Sequence, residues 1–316
     1  MASVVNTVGR WLTEPVPRGR IAAFRTLVYL FVAADLVVFT PWVRAHANVP
    51  AELYQPLFVA RVLPLPTPTP LLITSIFWIL LPLALLAATG RAPRALGWPV
   101  FLLYFQWMII AMSYGKVDHD RFAFLVALAL LPTAGRARHG DSIRTEAGGW
   151  ALRITQIAVV CTYFLAAFAK LRFGGLEWLT GSVLARAVIR RGTELADVIA
   201  QVPGLLIAAQ FGIMAFELAS PLLFLLRERW RHRTIGFFYS FHLVTMATIT
   251  ISFAPHLVAM TSFLPLERVR PIEWLRQLVQ RRRGRIEQTD DTAEEPPGRV
   301  GPADGRHQPS PAGPVT

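Results

Sequence analysis

The sequence predicts an all-α fold, a polytopic membrane helix bundle of about eight spans. Hydrophobic residues make up 53% of the 316-residue chain and charged residues only 16%, well below the ~25% of soluble domains. The apolar residues are concentrated in runs, and ~20 such residues form a helix that crosses the roughly 30 Å hydrocarbon core. Transmembrane β-strands would alternate apolar and polar residues, and the chain has no such alternation. Helices are the expected state, because lipid offers no partner to a free backbone amide.

Eight apolar runs define a predicted membrane domain at residues 21–267. The fourth and eighth runs are short for a full crossing, and the eighth is a candidate re-entrant segment. Residues 1–20 are expected to be a cytoplasmic lead-in, 268–285 a basic juxtamembrane segment and 286–316 a disordered tail rich in proline and glycine. The eight runs are 21–43, 71–89, 98–114, 121–133, 154–171, 203–226, 234–252 and 254–266.

The net charge of +12 is explained by topology rather than by nucleic-acid binding. With the N-terminus inside and all eight runs crossing, twenty arginines up to residue 285 fall in cytoplasmic segments and seven basic residues fall outside. Such an asymmetry is typical of multi-pass membrane proteins. We therefore expect a multi-pass protein of the cell membrane with both termini cytoplasmic, whose partner is the lipid bilayer and not a nucleic acid.

The outer segment 172–202 is predicted to form two short amphipathic helices. Val183, Leu184 and Val188 recur at helical spacing opposite Arg186 and Arg190. Residues 194–202 repeat the pattern with apolar and acidic or amide side chains. Such helices lie on the membrane or cap a bundle.

Metal and nucleotide chemistry have no support in the sequence. Cys161 is the only cysteine, which rules out an intrachain disulfide and a thiolate metal site. The chain contains no H-x-x-x-H zinc pattern, no glycine-rich phosphate loop and no G-x-S-x-G nucleophile turn. We therefore predict no metal.

Lys170 is one of several ionisable residues in the apolar runs, and each needs a reason because burial in lipid is costly. It lies near the outer end of the fifth run, and its ammonium could simply extend to the interface. Alternatively, burial disfavours the charged form and lets the neutral amine act as a base. The second role requires that Asp118 and Glu177 lie beyond contact with the amine.

The cluster Lys116–Arg121 opens the fourth span and is expected to belong to its helix, not to a free loop. Asp118 and Asp120 suit the positive end of a helix, which is one explanation. The other is a site in which His119 exchanges protons beside a carboxylate, and only this explanation gives the histidine a role.

Four more polar residues require partners inside the bundle. His242, with Tyr239 one turn away, lies in the middle of the seventh run, where an interhelical hydrogen bond is the simplest explanation. Glu217 must be protonated or paired, with Arg25 or His242 as candidates, and Asp35 raises the same question. His256 follows a proline at a turn and is expected at the interface.

Three blocks of residues resemble the HTTM (horizontally transferred transmembrane) domain family, which is related to the vitamin K-dependent gamma-glutamyl carboxylase. One block runs from Phe164 to Leu171 and continues through Glu177, Trp178 and Gly181. The second contains Asp118 and His119 before an apolar run. The third pairs Phe241 with His242 and continues through 251–255. Together the blocks span the predicted membrane domain.

The resemblance implies chemistry on a reduced lipid quinone. It assigns Lys170 as the catalytic base and His119 as its assistant, and it makes Asp118, Trp178, His242, Tyr239 and Glu217 candidate substrate-binding residues. Two positions depart from the family pattern, since Asp118 replaces an asparagine and Ser252 a glycine. About fifty residues follow Leu266, whereas the carboxylase holds its peptide in a large luminal domain. We therefore expect quinol chemistry without that domain.

The rival hypothesis is a non-catalytic membrane subunit or a transporter. In that case Glu217, Asp35 and His242 form structural pairs or a proton path. A quinone-sized cavity around the Lys170 ammonium favours the enzyme, and a lysine that points into headgroups favours the rival. The sequence names no protein partner.

Overall fold

The computed structural model describes residues 2–269 and confirms the all-α prediction. Within them the only strands are β1 (Val16–Pro17) and β2 (Arg144–Thr145), which pair antiparallel with Val16 opposite Thr145. The helices are α1 (Ala2–Leu12), α2 (Arg18–Ala34), α3 (Phe58–Val62), α4 (Pro70–Ala88), α5 (Pro93–Met112), α6 (Phe122–Leu130), α7 (Glu146–Gly174), α8 (Glu177–Thr180), α9 (Val183–Arg191), α10 (Glu194–Ala200), α11 (Pro203–Ala219), α12 (Glu228–Ile249) and α13 (Ala254–Met260). Helix α2 continues as a π-helix (Asp35–Phe39), and 3-10 turns lie at Pro41–Asn48, Ala51–Leu53, His119–Arg121, Leu131–Ala134, Ser220–Phe224, Thr261–Phe263 and Leu266–Arg268.

Five of these helical segments are long and apolar enough to cross a membrane: Arg18–Phe39, Pro70–Ala88, Pro93–Met112, Glu146–Gly174 and Gly204–Phe224. Several apolar helices of this kind are compatible with an integral membrane protein. The other three predicted runs correspond to α6, α12 and α13. Helices α6 and α13 have only nine and seven residues, shorter than a ~20-residue span. The predicted segments beyond residue 269 lie outside the described residues.

A buried ion pair joins α2 to the segment before α6. Asp35 has no solvent exposure, and its carboxylate lies 2.6 Å from the guanidinium of Arg121. The hydroxyl of Tyr104 donates to Asp35 at 3.0 Å and accepts from Arg121 at 2.9 Å, while Thr40 donates a further bond to Asp35 at 3.1 Å. This network answers the question that Asp35 raised, because a buried charge persists only when paired and hydrogen-bonded.

Contacts between distant segments define two ends of the bundle. At one end Arg20 donates to both carboxylate oxygens of Glu267 at 2.7 and 2.8 Å, and β1 pairs with β2. Trp11 packs there against Phe224 at a ring distance of 5.4 Å. At the other end the amide of Thr193 donates to the carbonyl of Thr248 at 3.0 Å. The N-termini of α2 and α7 therefore lie at the same end of the bundle as residues 224 and 267.

The amphipathic helices predicted in 172–202 are present as α9 and α10. Both pack on α11 and α12, and α10 buries Ala196 beneath it. The arginines of α9 stay exposed while Leu184 and Val188 face inward. The segment therefore closes over the helices that carry the candidate site.

Candidate functional site

A cavity of about 870 Å³ lies among α7, α9, α10, α11, α12 and the segment around α13. Each long helix presents one face to it, because residues three or four apart lie on the same side of a helix. On α7 these are Tyr163, Ala166 and Lys170; α11 and α12 contribute in the same way. Most of the lining is apolar. The polar and ionisable groups that line it include His119, Tyr163, Lys170, Glu217, His242 and His256.

Lys170 and Glu217 form an ion pair at the edge of this cavity. The Lys170 Nζ lies 2.5 Å from both carboxylate oxygens, and the Glu217 side chain is 8% exposed. The same ammonium lies 4.8 Å from the ring centroid of Trp178, where a cation is attracted by the ring face. The expected pairing of Glu217 with Arg25 or His242 is therefore wrong. Arg25 instead donates to the carbonyl of Gly135 at 2.6 Å.

This geometry combines features of both hypotheses about Lys170. The lysine lines a cavity of quinone size, as the enzyme hypothesis expects. It is also directly paired with a carboxylate, as a structural role for the lysine expects. The carboxylate is Glu217 rather than Asp118, which pairs with Lys116 at 2.7 Å. A base role for Lys170 must therefore account for Glu217.

A second polar group is built around His242. Its Nε2 lies 2.7 Å from the hydroxyl of Tyr163, and its ring packs 4.6 Å from that of Phe253. His256 lies 5.7 Å from His242 and 4.8 Å from Tyr163, measured between ring centroids. The interhelical hydrogen bond expected of His242 is present.

His256 corrects a sequence-based expectation. It was expected at the interface, but it is only 1% exposed and lines the cavity, because α13 turns its first residues against Tyr163. Among residues 2–269, neither ring nitrogen of His256 has a hydrogen-bond partner. Such an unsatisfied buried group is rare in proteins. Both nitrogens are themselves buried, so they are unpaired rather than open to the cavity.

The cluster Lys116–Arg121 was expected to belong to the helix of the fourth span, but it forms a loop and a 3-10 turn before α6. From this turn His119 reaches the cavity, with its ring 6.2 Å from that of Phe253. Partial desolvation lowers the pKa of His119, and the nearby Lys170 ammonium lowers it further. Asp118 acts in the opposite direction but does not reverse the shift. The imidazole is therefore neutral near pH 7, the form that accepts a proton or a hydrogen bond.

Two of the predicted binding residues lie outside the cavity lining. Asp118 is held by Lys116 in the loop between α5 and α6, and Tyr239 donates its hydroxyl to the carbonyl of Leu257 at 2.7 Å. Lys170, His119, Trp178, His242 and Glu217 all line the cavity. Tyr239 lies one turn from His242 on α12, but its hydroxyl is bonded to α13 instead of facing the cavity.

Gln210 is a structural residue of the site that sequence reasoning missed. It is 1% exposed, and its amide nitrogen donates to the carbonyls of Trp178, Leu179 and Gly181 at 2.7 to 3.1 Å. Its amide oxygen accepts from the backbone nitrogen of Leu184 at 2.8 Å. One side chain of α11 thereby fixes the segment that carries Trp178. The sequence signal that could have identified it was a polar amide side chain within an otherwise apolar run.

The fold and the cavity define an all-helical protein with an internal site whose walls are apolar and whose reactive groups are clustered. Residues 2–269 contain no group of three or more histidine, cysteine, aspartate or glutamate side chains arranged to hold a metal ion. Comparison with protein-family models, with curated proteins and with solved structures finds no match. The chemistry of the site must be argued from its own residues.

Proposed function

We propose that the chain is a membrane protein of the HTTM type that binds a lipid-soluble quinol in this cavity, with Lys170 as the base and His119 assisting. One observation carries the proposal: a cavity of about 870 Å³ with mostly apolar walls also holds a cluster of proton-exchanging side chains. Apolar walls suit a prenylated ring, and a few convergent polar groups suit its hydroxyls. Trp178 and His242 line the cavity beside the base.

The Lys170–Glu217 ion pair sets the condition for base catalysis. An ammonium cannot accept a proton, so its own proton must first move to Glu217, which leaves a neutral amine beside a neutral carboxylic acid. A ligand that expels water from the cavity favours this transfer, because removing water from a charged group costs much more free energy than removing it from a neutral group. The amine then accepts the proton of a quinol hydroxyl, and neutral His119 bonds the ring's other oxygen.

The proposal includes eight crossings of the cell membrane with both termini cytoplasmic. The contact of Arg20 with Glu267 supports an even number of crossings between them. Five helices qualify as spans by length and composition, so at least one further passage is needed. Helix α12 runs from the end that holds Phe224 to the end where Thr248 contacts Thr193. Helices α6 and α13, each with the 3-10 turn that follows it, supply the remaining two passages.

The test of the catalytic proposal is quinol oxidation by the purified protein in mild detergent under oxygen. A reduced short-chain prenylated naphthoquinol serves as the probe, and absorbance follows the oxidised ring. We expect turnover by the wild type and its loss in Lys170→Met/Glu217→Gln, a double variant that leaves no buried charge unpaired. Lys116→Met is the matched control, because Lys116 is exposed and paired with Asp118 outside the cavity. Equal turnover in the double variant would contradict the base assignment.

The second candidate is a non-catalytic membrane subunit or a transporter that uses the same groups as structural pairs or a proton path. It is favoured by the internal partners of the buried groups: Lys170 for Glu217, Arg121 for Asp35 and Tyr163 for His242. This candidate predicts no turnover with any quinol. The quinol assay therefore separates the two candidates.

A further inference from the structure

A second cavity of about 530 Å³ lies at the end of the bundle opposite α9 and α10. It is bounded by α2, by the turn between α4 and α5, and by the segment 136–139. At ~30 Å³ per water, its volume would hold on the order of fifteen water molecules. The side chains that give it chemistry are Arg91, Arg136, Arg138, His139 and Thr26.

The charge of this pocket is positive and uncompensated. None of its lining residues is acidic, and within residues 2–269 no carboxylate forms an ion pair with Arg91, Arg136 or Arg138. The three arginines are exposed at the rim. Arginine favours phosphate because its planar guanidinium donates two parallel hydrogen bonds.

The pocket is held in shape by contacts that do not involve its arginines. The buried Arg25 donates to the carbonyl of Gly135 at 2.6 Å and so fixes the segment that carries Arg136. The Thr26 hydroxyl donates to the carbonyl of Ala88 at 3.0 Å and lies 3.1 Å from the His139 ring. The pocket therefore has its shape before a ligand binds.

We propose that this pocket binds the phosphate group of an anionic ligand, independently of the quinol proposal. An anionic phospholipid headgroup is the source that fits its position, because the pocket opens at the ends of membrane-crossing segments on the predicted cytoplasmic side. Basic pockets between membrane helices on that side bind lipid headgroups. A soluble phosphate ester is the other source of the same chemistry.

The experiment measures lipid binding to the full chain in detergent by native mass spectrometry, with dioleoyl phosphatidylglycerol as probe and dioleoyl phosphatidylcholine as reference. Each arginine near a surface contributes about fivefold in affinity, so Arg91→Gln/Arg136→Gln/Arg138→Gln should weaken phosphatidylglycerol on the order of 100-fold. The control Arg227→Gln/Arg229→Gln/Arg233→Gln removes equal charge from the same predicted side, outside the pocket, and should weaken it far less. The single variants, each expected to lose about fivefold, replace the triple variant if it fails to fold.

Two further arms distinguish the sources and the outcomes. Glycerol phosphate that binds with the same arginine dependence, while phosphatidylglycerol does not, supports the phosphate site with a soluble ligand. Stronger binding of phosphatidylglycerol than of both phosphatidylcholine and glycerol phosphate supports the headgroup. Equal losses in the pocket and control variants would overturn the proposal, and so would a failure of both phosphate probes to bind.

Discussion

Replacing Lys170 by methionine tests the ion pair at the edge of the cavity. The variant leaves Glu217, whose side chain is 8% exposed, without its ammonium partner. Removal of one member of a buried pair typically costs ~3–5 kcal/mol. The carboxyl can avoid an unpaired charge by taking up a proton. For a glutamate with an ordinary pKa of ~4.3, this protonation costs about 3.7 kcal/mol at pH 7. This uptake limits the loss, and because Lys170 is 24% exposed we expect about 2–3 kcal/mol.

Differential scanning fluorimetry in detergent measures this loss as a fall in Tm. A domain of this size shifts by roughly 2–4 °C per kcal/mol, so the expected fall is about 5–10 °C at pH 7. The fall in Tm should be smaller at pH 5, because the free-energy cost of protonating Glu217 decreases by ~1.4 kcal/mol for each pH unit. Lys170→Met/Glu217→Gln should recover most of the loss, since no charge remains to be buried. A single variant as stable as the wild type at pH 7 would refute the reasoning.

Three other predictions concern contacts away from the Lys170 pair. Arg121→Gln should destabilise the protein by ~3–5 kcal/mol, because it leaves the fully buried Asp35 without its charged partner. In a thermal melt, the double variant Arg121→Gln/Asp35→Asn should regain most of the lost Tm. Gln210→Leu removes four hydrogen bonds and should speed amide exchange in 178–184, which hydrogen-exchange mass spectrometry detects, without a change in 122–130. Burial raises the pKa of Glu267, but the hydrogen bonds from Arg20 and the backbone, together with the charges of Arg20 and Arg268, outweigh it and lower the pKa below 4.5. That pair therefore stabilises the fold above this pH, and the Tm difference between Arg20→Gln and wild type should persist from pH 7 to 5 and fade as pH drops below 4.5; a constant difference would contradict the pairing.

Several ionisable residues of the cavity could be found from sequence because a titratable side chain is conspicuous in an apolar run. Lys170, Glu217 and His242 are ionisable side chains in otherwise apolar runs, and each such residue needs a partner. His119 was found in a charged cluster beside an apolar run. Hydrophobic length likewise predicted the long helices α2, α4, α5, α7 and α11, since length alone distinguishes a span from a shorter core helix.

Pairing across the bundle could not be predicted in the same way. Lys170 and Glu217 are 47 positions apart, and their contact depends on the register between α7 and α11, which packing sets. His256 was misplaced because a proline turn usually lies at an interface, whereas here the chain turns back into the bundle. Helices α6 and α13 are shorter than their apolar runs because 3-10 turns continue each of them.

Ligand occupancy of the cavity is the most direct test of the account. A Cβ at Gly212, which lines the cavity, meets no atom within 4 Å; Gly212→Phe should therefore fill the space without disturbing α11. Gly204→Phe is the matched control, because a Cβ there also meets nothing within 4 Å but the residue does not line the cavity. Mass spectrometry of lipids extracted from protein purified in mild detergent should find a quinone with the wild type and Gly204→Phe and little with Gly212→Phe. Absence of any quinone from the wild type, or equal amounts in all three proteins, would contradict the account.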